Sequence, residues 1–262
     1  MENGSGFFPL WSKRSIPFFA SSTSQSENPL DWPRIRHLLK LGIFAALMVL
    51  VGDMLLGWGV HDASKSGMEG FLSIYLHLTD STIFWSAFLG LIGIPLEALC
   101  YFAVYRLIKP YSEKYAHLYR SGILGILAFG GCGVHVPCLS CVFFYKYMKN
   151  VSPNTALDAS IRFGLYFLLP GMILFFIFWV VHHIAHITAF AKELTPYPKV
   201  CWIFCPAVGM ALTMLLKFLP ETALRNAITA GWISIGSLWM FIGLLVMSRK
   251  AEANAKKGTD RI

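Results

Sequence analysis

The chain has 262 residues, of which 56% are hydrophobic and only 14% are charged, with a formal net charge of +8. Soluble domains of this length carry close to 25% charged residues, so the composition argues against an ordinary soluble protein and predicts an integral membrane protein. The basic residues lie at the ends of apolar runs, where they anchor helices, and they form no patch interleaved with aromatic residues. This distribution argues against nucleic acid as a partner.

The N-terminal residues 1–30 are rich in Ser, Asn, Phe and Pro, lack a continuous apolar run, and predict a flexible cytoplasmic tail. Asp31 and Pro33 then mark a helix start, as N-cap and first-turn residue. Residues 31–248 are expected to form an all-α, polytopic transmembrane helical bundle, and residues 249–262 a basic cytoplasmic tail. The apolar runs of this predicted bundle each reach the length of about 20 residues that a membrane span requires. They are 38–60, 82–108, 118–145, 157–190, 199–219 and 223–248.

The stretch 69–81 is apolar but too short to cross, which predicts an interfacial or re-entrant piece. Six spans place both termini on one side of the membrane. With the N-terminus inside, most of the 22 Lys and Arg residues fall on the inner side. The positive-inside rule therefore predicts a multi-pass protein of the cell membrane with both termini cytoplasmic.

Two ionisable residues, Asp53 and His135, are predicted to share the outer half of the membrane. At the helical rise of 1.5 Å per residue, Asp53 lies roughly 22 Å and His135 roughly 25 Å along helices that run in the same direction. An ionisable group at this depth is costly and usually faces protein or water. An Asp–His pair can orient an imidazole, bind a metal or relay a proton, and it can also simply hold two helices together.

Glu97 is predicted to lie nearer the middle of a helix that runs inward. Pro95 precedes it by two residues and would leave the carbonyl of Leu91 without a helical donor. A carboxyl group beside such a bend is typical of a cavity, and a protonated Glu bonded to a neighbouring helix is the alternative.

His182 and His186 lie one turn apart on one helix face, a spacing that suits two ligands of one metal ion. Together with Asp53 and His135 they are the candidate ligands of a divalent metal such as zinc. Their position near Lys192 also suits a polar cap at the cytoplasmic interface.

Several motifs resemble an uncharacterised bacterial family of multispan membrane proteins. They are the segment 52–57 (GDMLLG), the Gly-rich stretch that ends at His135, Leu169-Pro170 with the following aromatic run, and Gly231-Trp232 with Gly236. The resemblance covers roughly residues 38–248 and implies that Asp53 and His135 recur in that family. The GDxLL pattern is also similar to that of lysoplasmalogenase-like membrane hydrolases, and the Asp, His and HxxxH residues resemble those of alkaline ceramidases, which hold zinc in a helical bundle.

Three functions follow as hypotheses. The first is a membrane-embedded hydrolase or transferase acting on a lipid-like substrate, with Asp53, His135 and Glu97 as catalytic residues. The second is a small transporter or channel that uses the same residues as a proton or ion relay. The third is a non-catalytic membrane subunit or receptor. The lipid bilayer is the expected partner, with a lipid or other small molecule as the substrate.

Overall fold

The computed structural model describes residues 30–259, with side chains through Lys256, and this part of the chain contains helices and no strand. The predicted tail 1–30 falls almost wholly outside the described residues. The helices are α1 Trp32–Gly57, α2 Gly67–Ser73, α3 Asp80–Cys100, α4 Phe102–Ile108, α5 Glu113–Phe129, α6 Val136–Val151, α7 Ala156–Phe167, α8 Leu169–Ala191, α9 Pro206–Met214, α10 Ala223–Ala230 and α11 Trp232–Thr259. The all-α prediction is confirmed.

The start of α1 follows the sequence signal. The Asp31 side chain accepts a hydrogen bond of 3.0 Å from the backbone N–H of Arg34, and Pro33 occupies the first turn. Asp31 therefore satisfies one of the N–H groups that the first turn leaves without a helical partner. The helix starts at Trp32, six residues before the apolar run, because the capping residue and not the apolar pattern sets its boundary.

Three predicted continuous runs are broken beside a proline or a glycine, and the run 82–108 has a break of one residue, at Tyr101 between α3 and α4. A π-helical turn, Gly130–His135, separates α5 from α6, directly before Pro137, which cannot donate a backbone hydrogen bond to the preceding turn. The run 157–190 breaks at Leu168, before Pro170, and the run 223–248 breaks at Gly231. Pro137 and Pro170 lack a backbone N–H donor and Gly231 lacks a Cβ, so the helix is least stable near these three residues.

The fifth predicted span, 199–219, differs most from expectation. It begins as a 3₁₀ turn, Lys199–Phe204, and only then forms α9, which a second 3₁₀ turn extends to Phe218. Its helical part, Pro206–Phe218, is shorter than the five helices that are long and apolar enough to cross a membrane, which are Trp32–Gly57, Asp80–Ile108, Glu113–Val151, Leu169–Ala191 and Trp232–Lys256. The stretch 69–81 forms α2 and a 3₁₀ turn, both too short to span.

The two ends of the described chain lie at the same end of the bundle. Arg36 in the first turns of α1 donates a hydrogen bond of 2.7 Å to Glu252 near the end of α11. At the other end, His61 after α1 forms an ion pair with Glu221 before α10. We call these the terminal end and the loop end. An even number of passes would require α9 as a further span beside the five long apolar helices. Membrane crossing by α9 and the orientation stay predictions.

Small residues let the helices approach closely around α1. A side chain at Gly42 would collide with the ring of Phe241 in α11, and one at Gly52 would crowd the Ser86 carbonyl in α3. Helices in lipid gain little from hydrophobic burial against one another, so such close packing is a main source of their association. Large apolar side chains such as Phe44, Trp85 and Val246 face outward, as in a protein surrounded by lipid. The described part of the predicted tail 249–262 continues α11.

Candidate functional site

Asp53 and His135 lie together, at the end of α1 and in the π-helical turn. Their carboxyl Oδ1 and imidazole Nδ1 are 3.7 Å apart. The other ring nitrogen, Nε2, lies 2.9 Å from the backbone carbonyl oxygen of Ser86. A carbonyl only accepts, so Nε2 must carry a proton and donate it. Nδ1 and the carboxyl group then attract each other only when one of them holds a further proton.

Two neighbours fix the geometry of this pair. Ser234 in α11 donates a hydrogen bond of 2.7 Å from its hydroxyl to Oδ2 of Asp53. Gly90 in α3 faces the His135 ring, and any Cβ at this position would collide with the imidazole. The glycine therefore makes the space in which the ring reaches both the Ser86 carbonyl and Asp53.

Glu97 lies buried in α3 and is held by two hydroxyl groups. Its Oε1 accepts hydrogen bonds from Tyr101, at 2.7 Å, and from Ser237, at 2.5 Å. The hydroxyl oxygens of Tyr101 and Ser237 are also 2.7 Å apart. The three oxygens form a closed triangle, in which each hydroxyl proton can point to the carboxyl group or to the other hydroxyl.

The histidines of α8 are inside the protein. His182 and His186 have no exposed surface, so the predicted interfacial polar cap is wrong. The His182 ring lies between two tyrosine rings, with centroid distances of 4.6 Å to Tyr101 and 4.2 Å to Tyr119. Within the described part of the chain, neither ring nitrogen of His182 or His186 has a hydrogen-bond partner, and neither does the Tyr119 hydroxyl.

These groups are neighbours through the bundle. Ser234, which bonds to Asp53, and Ser237, which bonds to Glu97, are one turn apart on α11, and among the described residues their hydroxyl groups are not bonded to each other. The Tyr101 ring packs against the His182 ring, with 4.6 Å between the centroids and no hydrogen bond to either nitrogen of His182. We call the whole set the polar series; in order from the loop end it is His135, Asp53, Ser234, Ser237, Glu97, Tyr101, His182, Tyr119 and His186.

The model of DUF6796, a family of unknown function, matches residues 21–251. The chain belongs to this family. The resemblance to an uncharacterised family is thereby confirmed, and the chain is a helical membrane protein. No curated protein and no solved structure matches the chain. The likeness to membrane hydrolases stays a hypothesis.

The predicted metal ligands fall into two separate pairs. Asp53 and His135 offer two donors, and Nε2 of His135 is already bonded to a carbonyl. His182 and His186 lie on α8, and no group of three or more His, Cys, Asp or Glu residues suited to a metal occurs among residues 30–259. Catalytic zinc sites use three protein ligands and each pair offers two, so neither pair alone fits such a site, and metal binding stays a prediction.

The sequence did not identify Ser234, Ser237 and Tyr101 as site residues. Each of the three residues has a sequence feature that could have indicated a role in the site. The two serines recur at a spacing of three in an apolar helix, and Tyr101 follows Glu97 by one helical turn, a spacing at which side chains meet. Serine is common in membrane helices, where it bonds to its own helix backbone, so the spacing alone does not identify a partner.

Ion pairs at the loop end join the connections between helices. Lys149 of α6 donates a hydrogen bond of 2.8 Å to Glu69 of α2, and the bond and charge of this lysine lower the pKa of Glu69. Burial raises the pKa of Glu221, but hydrogen bonds from Asn226 and His61 outweigh it and the pKa is lowered. These contacts hold α2 against α6 and the residues after α1 against the start of α10.

Proposed function

We propose that the protein conducts protons across the cell membrane along the polar series. The observation that carries the proposal is that two carboxyl groups, the partly buried Asp53 and the buried Glu97, are bonded to two serines one turn apart on α11. Ionisable residues inside a membrane are costly and typically mark ion or proton pathways. A chain of groups that both donate and accept is what proton transfer requires.

The first step lies between His135 and Asp53. Because Nε2 donates to the Ser86 carbonyl, only Nδ1 is free to exchange a proton. A proton on Nδ1 gives an imidazolium–carboxylate pair, and a proton on Asp53 gives a neutral acid beside a neutral imidazole. Both states are compatible with this contact. The two atoms are 3.7 Å apart, beyond hydrogen-bond distance, so passing the proton requires them to move closer or a water molecule to bridge them.

The second step lies in the Glu97 triangle. Ser237 and Tyr101 each have one proton and two acceptor oxygens within 2.7 Å. When a proton reaches Glu97, rotation of the two hydroxyl groups redistributes it around the triangle without movement of the helices. From Tyr101 the path to His182 needs a bridging water molecule, because the His182 nitrogens have no protein partner among the described residues; a neutral imidazole can then accept at one nitrogen and donate at the other.

The α8 histidines carry the path towards the terminal end. The ring nitrogens of His182 and His186 and the Tyr119 hydroxyl lack protein partners. A buried polar group without a hydrogen bond costs roughly 1–3 kcal/mol. In our proposal, water molecules bonded to these groups remove that cost and also carry the proton between them.

A membrane-embedded hydrolase or transferase is the second candidate, and the Asp53–His135 contact favours it. Such an enzyme needs a nucleophile or a water molecule bonded to the imidazole base. Here Nε2 faces a backbone carbonyl, and the nearby Ser234 hydroxyl donates to Asp53 and not to His135. The geometry therefore supports a proton relay better than a lipid-cleaving site. A divalent metal stays part of the enzymatic hypothesis.

The test is proton flux in liposomes that contain the purified chain and an internal pH-sensitive dye. We expect an imposed pH gradient to collapse faster than in empty liposomes, and Asp53→Asn and Glu97→Gln to abolish the difference. Asp158→Asn is the matched control, because Asp158 is an exposed carboxylate whose ion-pair partner among the described residues is Arg162 on its own helix. Unchanged flux in Asp53→Asn would overturn the proposal. Lipid turnover that requires Asp53, in the same liposomes, would favour the enzyme instead.

A further inference from the structure

A basic cleft opens at the terminal end, between the first turns of α1 and the last turns of α11. Its volume is about 740 Å³, within the usual range for a small-molecule site. We call it the basic cleft; the residues of its lining that matter here are Arg36, Lys40, Val246, Ser248, Arg249 and Glu252. None of them belongs to the polar series.

The cleft carries more positive than negative charge. Glu252 is its one carboxylate among the described lining residues, and it already pairs with Arg36 at 2.7 Å and with Lys256 at 3.4 Å. Lys40 and Arg249 have no acidic partner in the described part of the chain. The Arg36–Glu252 pair thus joins the two helices that form the cleft, and two exposed cations remain available to a ligand.

Below these cations the surface is apolar. On α1, Phe44 follows Lys40 by one turn and is 56% exposed; on α11, Val246 precedes Arg249 by three residues and is 73% exposed. Both apolar side chains lie on the side of the cations that leads towards the middle of the bundle. Positive charge at the helix ends with lipid-facing apolar groups one turn deeper matches a phosphate headgroup followed by acyl chains.

We propose that the basic cleft binds the headgroup of an anionic phospholipid, with its phosphate between Lys40 and Arg249 and its acyl chains along Phe44 and Val246. A lipid explains both halves of the site. A soluble phosphate compound would use the cations but not the exposed apolar side chains, which are part of the same surface. The site is independent of the proton path.

The test measures binding of phosphatidylglycerol to the full chain in neutral detergent micelles, by native mass spectrometry. The variant Lys40→Gln with Arg249→Gln removes both free cations. We expect this double variant to bind the lipid about thirtyfold more weakly, because each basic residue near a membrane surface adds to the attraction for anionic lipid. Lys109→Gln with Lys199→Gln is the matched control, because both lysines are exposed near the terminal end but do not line the cleft.

We expect the control to bind as the unchanged protein does, and phosphatidylcholine to bind weakly to all three proteins. Equal losses in both double variants would overturn the proposal, because binding would then follow total charge. Displacement of the lipid by an equal concentration of inorganic phosphate would also overturn it, since the ligand would then be a soluble anion. All four positions are exposed, so thermal unfolding is expected to be the same in the three proteins.

Discussion

Gly90 is the position where a single methyl group tests the geometry of the polar series. In Gly90→Ala the new Cβ would overlap the His135 ring, which two contacts hold in place, the bond to the Ser86 carbonyl and the contact with Asp53. The ring must move, and the bond of 2.9 Å to the carbonyl is lost. Overpacking costs about 1–3 kcal/mol and a hydrogen bond about 1 kcal/mol, against a gain of up to about 1 kcal/mol in helix propensity.

The net expectation is a loss of about 2 kcal/mol, which corresponds to a decrease of about 4–8 °C in the unfolding temperature for a protein of this size. Gly164→Ala in α7 is the control, because its Cβ would meet only the Cys141 sulfur at 3.6 Å, an ordinary contact. Thermal unfolding in detergent measures both variants, and proton flux shows whether the displaced imidazole stops conduction. If Gly90→Ala unfolds at the same temperature as Gly164→Ala and conducts normally, the assigned position of His135 is wrong.

Other substitutions separate conduction from stability and test the loop end. Ser237→Ala removes a hydrogen-bond donor to the buried Glu97, so it should lower the free energy of unfolding by about 1 kcal/mol and abolish most of the proton flux. Ser248→Ala, on the same helix but outside the polar series, should leave the flux unchanged. Liposome assays measure the flux of both variants. His182→Phe keeps a ring between the two tyrosines but removes both nitrogens, so the protein should stay folded and stop conducting; normal flux would exclude the imidazole from the path. The lowered pKa of Glu69 means that its bond to Lys149 stabilises the fold fully above the ordinary pKa of 4.5 and is lost as pH falls through the lowered value. The unfolding temperature should therefore decrease as the pH falls below 4.5, and it should decrease less steeply in Glu69→Gln. The same dependence on pH in both proteins would contradict a stabilising bond between Glu69 and Lys149.

The helical rise was sufficient to place Asp53 and His135 at a similar depth. Both depths were counted from the first residue of an apolar run, 38 and 118, and the helices start earlier by a similar number of residues, so the difference between the depths hardly changes. Rotation about the helix axis could not be calculated in the same way. The predicted pairing therefore depended on the cost of leaving either group exposed to lipid, which favours inward rotation of both.

The partners of Glu97 could not be predicted. Ser237 lies 140 residues away in the chain, and nothing in an apolar helix indicates which of its serines faces a carboxyl group on another helix. The same reasoning explains the α8 histidines. Their place near the end of an apolar run suggested a surface, but α5 covers this part of α8: a side chain at Gly122 would collide with His182.

The sequence indicates only some of the positions at which the helices break. Pro137, Pro170 and Gly231 each coincide with an interruption, yet α3 continues through Pro95 to Cys100. A proline removes one hydrogen bond, and neighbouring contacts decide whether the helix ends or merely bends there. The wide π-helical turn depends on more than the proline that follows it. A side chain at Gly171 of α8 would collide with the Gly133 carbonyl, so the turn requires a glycine on the facing helix.

Proton flux through Glu97→Gln liposomes tests the central claim most directly, because Glu97 joins the two halves of the polar series. Glutamine preserves the shape of the side chain and can still accept from Tyr101 and Ser237, but it cannot take up and release a proton. The proposal predicts that this variant inserts and unfolds as the unchanged protein does while its flux decreases to the level of empty liposomes. Flux equal to that of the unchanged protein would contradict the proposal.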